Sequence, residues 1–179
     1  MRYPILAIDD LSAQQRQSLD TIRSEDADIL HGPYGAMLYA PKIAELVHEL
    51  DQFMSTGLRI PERLRVVAEL TSAAKHRPED VQKYIDLKSI QTDDISTETI
   101  EAIKSGASPI SEHDDENLVH EFVVQLCKTG RVTNACFDRT FAAFGREICL
   151  ELIKICGFTI YFKNLANITG RLKSSAATQ

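Results

Sequence analysis

The sequence predicts an all-α protein, a single-domain bundle of helices. Three observations carry that expectation. Nearly every segment has a helical period, proline and glycine stand where helices would start and stop, and no strand pattern interrupts them. No run alternates apolar and polar residues with β-branched enrichment, and neither Asn-Gly nor Asp-Gly occurs as a hairpin turn. No repeat of fixed period is evident.

The elements follow in order. Residues 1–10 read as an N-terminal arm. Ser12 to Arg23 forms a polar opening helix. From His31 to Pro41 the chain reads HGPYGAMLYAP, a connector between the Gly32-Pro33 turn signal and a helix-starting proline. Tyr34, Ala36, Met37, Leu38, Tyr39 and Ala40 give it no charge, whereas connectors normally run polar over the surface. It must therefore pack against a core, a partner subunit or a ligand.

Pro41 to Ser55 has the clearest period, with Ile43, Leu46, Val47, Leu50, Phe53 and Met54 expected inward, Pro41 in its first turn and Gly57 past its end. Pro61 to His76 follows, with Leu64, Val67, Leu70 and Ala74 facing inward. Pro78 restarts the chain into Glu79 to Gln91, and Thr97 to Lys104 is a short helix stopped by Gly106.

The linker SGASPISEHDDE joins two halves of one domain. Ser111 is expected to cap the next helix, whose first turn carries Glu112, Asp114, Asp115 and Glu116, the negative charge that a helix dipole favours. That helix runs to Lys128. Thr133 caps a helix with Phe137, Phe141 and Phe144 inward, closed by Gly145. The last helix spans Arg146 to Asn167, with a bend expected at Gly157. Residues 171–179, with Arg171 and Lys173, read as a flexible, solvated tail.

At 179 residues the chain can bury a full core without staples. A net charge of −6 argues against a nucleic-acid surface, which needs a basic face. The opening MRYPILAIDD turns acidic too early for a signal-peptide core. Ile148 to Ile168 matches a bilayer in length but carries Glu151, Lys154 and Lys163, so a buried core helix and a cytoplasmic protein are expected, with no membrane partner. The cysteines Cys127, Cys136, Cys149 and Cys156 form no C-x-x-C pair. Cys149 and Cys156 share one helix face roughly 10 Å apart, beyond the reach of a disulfide. The four are expected to be reduced, mostly buried thiols.

Taken together, HGPYGAMLYAP, then RIPERLRVVAELTSAAKH, then the stretch from SGASPISEHDDE through RVTNACFDRTFAAFG to GFTIYFKNLANITG resemble the carboxymuconolactone decarboxylase family. That family shares its helical fold with the alkylhydroperoxidase D-like proteins. The shared features are a Gly-Pro segment before a helix-starting proline, an Arg-Leu-Arg helix, an acidic helix start, an Arg-Val-Thr turn, a Phe-Gly stop and an apolar last helix with an aromatic pair. The likeness covers roughly residues 11–170. It implies an alkylhydroperoxidase D-like bundle, a homo-oligomer of two to six chains, no resident cofactor or metal, and a small carboxylated or oxidised metabolite as reactant. If the chain is an enzyme, it implies a decarboxylase-like lyase. The family is also linked to peroxiredoxin-type oxidoreductase activity.

The departures fall where the family keeps its chemistry. The C-x-x-C pair or the Glu-Trp and later His of family members would lie in AKHRPEDVQKYIDLK. There the Glu or second Cys position falls on Val81 or Gln82, and the His position on Ile85 or Asp86. The glutamate that usually follows the helix arginine, Arg65, falls on Val66. The usual disulfide relay and the usual histidine proton transfer therefore lack their residues.

Other residues are candidates. Glu69 lies four residues after Arg65 and shares a helical stripe with Glu62, Arg65, Ser72 and His76. That stripe is either a solvated face with an ion pair worth a few tenths of a kcal/mol, or a pocket wall on which Glu69 and His76 act as an acid–base pair. His113, Glu116 and His120 share a face, but His113 is in the exposed first turn and no fourth ligand is evident, so no metal is expected. His120, beside Val123, Val124 and Cys127, is either a satisfied core histidine or a pocket base. Tyr34, Tyr84 and Tyr161 are candidate ligand-binding hydroxyls, and Tyr39 is a further one. Two functions stay open: an enzyme acting through Glu69, His76, Tyr84 or His120, and a non-catalytic oligomer that keeps the fold for binding or structure.

Overall fold

The computed structural model describes residues 2–22, 29–88, 90–109 and 111–170, with the side chains among them other than those at 80 and 87. Arg23 and the tail 171–179 lie outside the described residues. Among the described residues the protein is all helical, with eight α-helices and no strand. Its backbone contacts divide it into two compact units, Met1–Gly57 with Asn164–Gln179, and Leu58–Lys163. The linker at 105–116 lies inside the second unit.

The first unit contains α1 (Ala13–Ile22), α2 (Pro33–Met37) and α3 (Pro41–Thr56), with α1 and α2 packed on α3. Ser12 and Gln15 form a reciprocal cap on α1: Gln15 N–H donates to Ser12 Oγ at 3.2 Å and Ser12 N–H to Gln15 Oε1 at 2.9 Å. The uncharged connector is folded rather than extended. Pro33 starts the short helix α2, and Pro33, Gly35, Ala36, Met37 and Leu38 are buried. On α3 the expected inner stripe holds only in part. Ala44 and Met54 are buried, while Ile43, Leu46 and Phe53 are each about half exposed.

The second unit is built on α4 (Glu62–His76), with α5 (Val81–Lys88), α6 (Thr97–Lys104) and α7 (Asp114–Thr129) packed on it. Every residue of α4 from Val66 to Ala74 is buried, because neighbours cover it on all sides. A helix wrapped in this way buries its polar residues too, so Glu69 and Ser72 do not lie on a solvated face. Small residues at Ala68, Ala73 and Ala74 suit such close approach.

The last helix, α8 (Asn134–Thr169), holds both ends of α4. Glu151 accepts the N–H groups of Arg59 and Ile60 at 2.9 and 2.8 Å just before α4. Lys163, fully buried, donates to the carbonyls of Ala73 and Arg77 at 2.7 and 3.0 Å at its far end. These side chains satisfy backbone groups that a helix cannot satisfy itself. The bend in α8 falls at Gly145 (φ 80°, ψ 176°), not at Gly157. Phe137 and Phe141 stack on each other with ring centroids 6.3 Å apart, yet both are about 40% exposed rather than inward.

Helix α7 begins at Asp114 with His113 at its N-cap, so Ser111 is not the cap residue. Ser111 instead accepts from His113 N–H at 3.1 Å and donates to Glu116 Oε2 at 2.5 Å. Gly130 ends α7 in the left-handed conformation (φ 69°), where a side chain would be strained. Among the described residues, no helix is long and apolar enough to cross a membrane.

Candidate functional site

The second unit carries a seam of polar side chains along α4, facing α7 and α8, buried except for half-buried Lys75 and Cys127. Its members are Thr71, Ser72 and Lys75 of α4, His120 and Cys127 of α7, and Cys156 of α8. Helical spacing explains the arrangement. Thr71, Ser72 and Lys75 lie within one turn, and His120 and Cys127 are two turns apart on one face of α7.

At one end of the seam the Thr71 hydroxyl and His120 Nδ1 are hydrogen-bonded at 3.0 Å. Burial, and then the charge of Lys75, push the His120 imidazole down to about 4. The ring is therefore neutral at physiological pH, a satisfied core histidine.

At the other end lie two thiols. The Cys127 S–H donates to Ser72 Oγ at 3.7 Å, and the Ser72 hydroxyl donates to the Cys156 carbonyl at 3.3 Å. The interaction between the Cys127 and Cys156 thiols is the largest influence on the ionisation of both groups. It holds Cys127 down, to about 7, against the opposing effect of burial, with smaller help from Ser72 and Lys75. It pushes Cys156 up, and burial adds to that. The pair thus divides into a ready thiolate and a reluctant thiol. The other cysteines differ: burial pushes both Cys136 and Cys149 up. Cys127 is also the one cysteine that is not fully buried. A thiolate near neutral pH at a reachable position is the chemical definition of a reactive cysteine.

The residues singled out in the sequence are placed as follows. Glu69 is buried and accepts from Arg65 Nη1 at 2.6 Å, while Arg65 Nη2 also reaches Glu62 at 2.8 Å. The expected i,i+4 ion pair is present, but within a covered helix. His76 is the last residue of α4, two turns beyond Glu69, whose carboxylate is taken up by Arg65. Tyr84 is buried and donates to Thr159 Oγ1 at 3.4 Å. Tyr161 is 39% exposed on α8 beside Phe158, and burial of part of its ring raises its phenol. Tyr34 belongs to the first unit, where it donates to Asp51 Oδ2 at 2.8 Å and meets His48 edge to face. Tyr39, in the same unit, donates to the Pro4 carbonyl at 3.2 Å.

Two acidic clefts open elsewhere on the second unit. One, of about 270 Å³, is lined by Asp94, Ser96, Glu98, Ser111, His113 and Glu116 among others. The other, of about 260 Å³, is lined by Glu62, Arg63, Gln91, Asp93 and Asp94 among others. Glu116 is held by Arg63 and Ser111. His120 is held by Thr71. His113 and Glu116 thus line one cleft, while His120 is engaged with Thr71 instead.

The pairing of Cys127 with Cys156 was not legible in the sequence. They are 29 positions apart with no motif between them. The one available signal was that Cys127 lies seven residues after His120 on the same flank. Comparison of the chain with protein-family models, with curated proteins and with solved structures finds no match.

Proposed function

We propose that this chain is a thiol-dependent protein of the alkylhydroperoxidase D-like helical type, with Cys127 as its nucleophile. Its reactant is a small oxidised or carboxylated metabolite. The observation that carries this reading is the setting of Cys127: partly exposed, hydrogen-bonded to Ser72, and held low by the Cys156 thiol and the positive charge of Lys75. When Cys127 is ionised, the Cys156 S–H and the Ser72 O–H become donors to the thiolate. Lys75 balances its charge and favours the approach of an anionic reactant. Glu69 and His120 carry no step in this reading. Glu69 is committed to Arg65, and His120 is neutral and committed to Thr71.

Alkylation tests the reading directly. The rate of Cys127 modification by iodoacetamide, followed by peptide mapping across pH 5 to 9, should reach half its plateau near 7. Ser72→Ala should move that midpoint upward by removing a donor. A Cys127 midpoint at the ordinary value of about 8.5 contradicts the assignment.

A second proposal concerns assembly. Ile43, Leu46 and Phe53 on α3, and Phe137, Phe141, Leu150, Ile153 and Tyr161 on α8, expose large apolar side chains in the single chain. Apolar rows of this kind favour association, and a second copy of the chain is the partner we propose. A homo-oligomer is compatible with thiol chemistry. It is the whole of the function if Cys127 proves inert.

A further inference from the structure

We propose that two copies of this chain associate through the first segment of α8, residues 134–144, about a two-fold axis near Phe141 that sets Asp138 of each copy against Arg146 of the other. The inference rests on the reading of the chain as a homo-oligomer and deepens it by assigning the face, the symmetry and the charged contact. It is independent of the thiol chemistry.

The face is fixed by how the segment is anchored. Cys136 and Thr140, one turn apart, are buried, and Thr140 Oγ1 donates to the Cys136 carbonyl at 2.8 Å. Arg139 reaches α7, where its Nη2 meets both carboxylate oxygens of Glu121 at 2.7 Å. Just before the segment, Thr133 N–H donates to Gln125 Oε1 of α7 at 2.8 Å. With that side held to the second unit, Phe137 and Phe141 share another side of the helix, one turn apart. Their rings lie within 2° of parallel, and the Arg146 guanidinium carbon is 5.5 Å from the Phe141 centroid. Phe137, Phe141 and Arg146 form one exposed ladder, and Leu150, one turn beyond Arg146 and 67% exposed, continues it. Stacking orders the rings before a partner arrives, so association costs less side-chain entropy.

Charge identifies the occupant. Asp138 and Arg146 flank the ladder at opposite ends, and both are exposed. Among the described residues neither has an ion-pair partner, whereas the adjacent Arg139 and Glu147 are paired with Glu121 and Arg59. A lone anion at one end of an apolar strip and a lone cation at the other complement the same strip turned end for end. In a two-fold interface residue i meets j and j meets i, so a single arrangement makes the Asp138–Arg146 contact twice. Phe141, next to the axis, packs against its own counterpart, and the charged contacts lie at the rim, where they select partner and register. A strip flanked by one sign of charge would repel a second copy instead.

The test is charge exchange in the full chain, read by sedimentation at micromolar concentration. The native chain should run as a dimer or a multiple of one. Asp138→Arg and Arg146→Asp each place like charges together at both contacts, and each should weaken association by roughly tenfold or more. The double variant, carrying both substitutions, brings opposite charges together again and should associate as the native chain does. Both positions are exposed, and circular dichroism of each variant should show native helix content. Native assembly that neither single variant weakens overturns this face and leaves the homo-oligomer reading standing. Weakening by both single variants without recovery in the double variant overturns the Asp138–Arg146 contact. A native mass of about 20 kDa overturns the face and the oligomer together.

Discussion

His120 shows how much of this protein's chemistry depends on single side chains lying in a covered seam. Folding holds its imidazole neutral down to about 4, while the same group in an open chain takes a proton near 6.5. Between those values the unfolded state binds a proton that the folded state does not, so stability rises with pH across that window. Above 6.5 neither state is protonated there and the dependence ends. At its full extent the effect is at most about 3 kcal/mol, because each tenfold change in proton affinity is worth roughly 1.4 kcal/mol. Urea unfolding of the native chain and of His120→Gln at pH 4.5 and 7.5 checks it. The native chain should lose more stability at low pH than the variant, and equal losses would show that His120 is solvated. The sequence left His120 open between a core residue and a pocket base. Periodicity put it on an apolar flank, but only the position of Thr71 on a different helix decides its partner. Glu69 was ambiguous for a related reason. Its stripe looked solvated because a wheel assumes one covered side, and α4 is covered all round.

At the scale of elements, helix existence was readable and helix facing was not. Pro41, Pro61 and Gly130 mark boundaries through backbone conformation, which is a local property. The direction of an apolar stripe depends on what the chain brings to it later. Much of the stripe of α3 and of the first half of α8 therefore points outward against expectation. The bend in α8 was expected at Gly157, but the conformation there is helical and the break falls twelve residues earlier. Gly145 has φ 80° and ψ 176°, a region that only glycine occupies readily, and nothing within 4 Å would meet an added Cβ. Gly145→Ala should therefore cost backbone strain alone, about 1 to 3 kcal/mol. Differential scanning calorimetry would register it as a lower Tm. An unchanged Tm would mean that the bend relaxes into a continuous helix. The same substitution at Gly157, which is helical and open to solvent, should not destabilise.

Over the whole molecule, the exposed apolar rows and the uncharged connector point to different outcomes. The connector from His31 to Pro41 packs Pro33, Gly35, Ala36, Met37 and Leu38 into buried positions and needs no partner to do so. The rows on α3 and α8 are left open, and assembly would cover them. Sedimentation at micromolar concentration should give a mass of at least two chains, and a mass of about 20 kDa would rule assembly out. The helical class was legible because period, proline and glycine are written locally. The thiol pair was not, because it joins helices far apart in sequence through Ser72 on a third. Its central feature is a Cys127 thiolate near neutral pH, and the thiolate absorption near 240 nm reads that state most directly. The difference in absorption between the native chain and Cys127→Ser, titrated from pH 5 to 9, should rise with a midpoint near 7. A midpoint at the ordinary thiol value of about 8.5 or above would contradict the account.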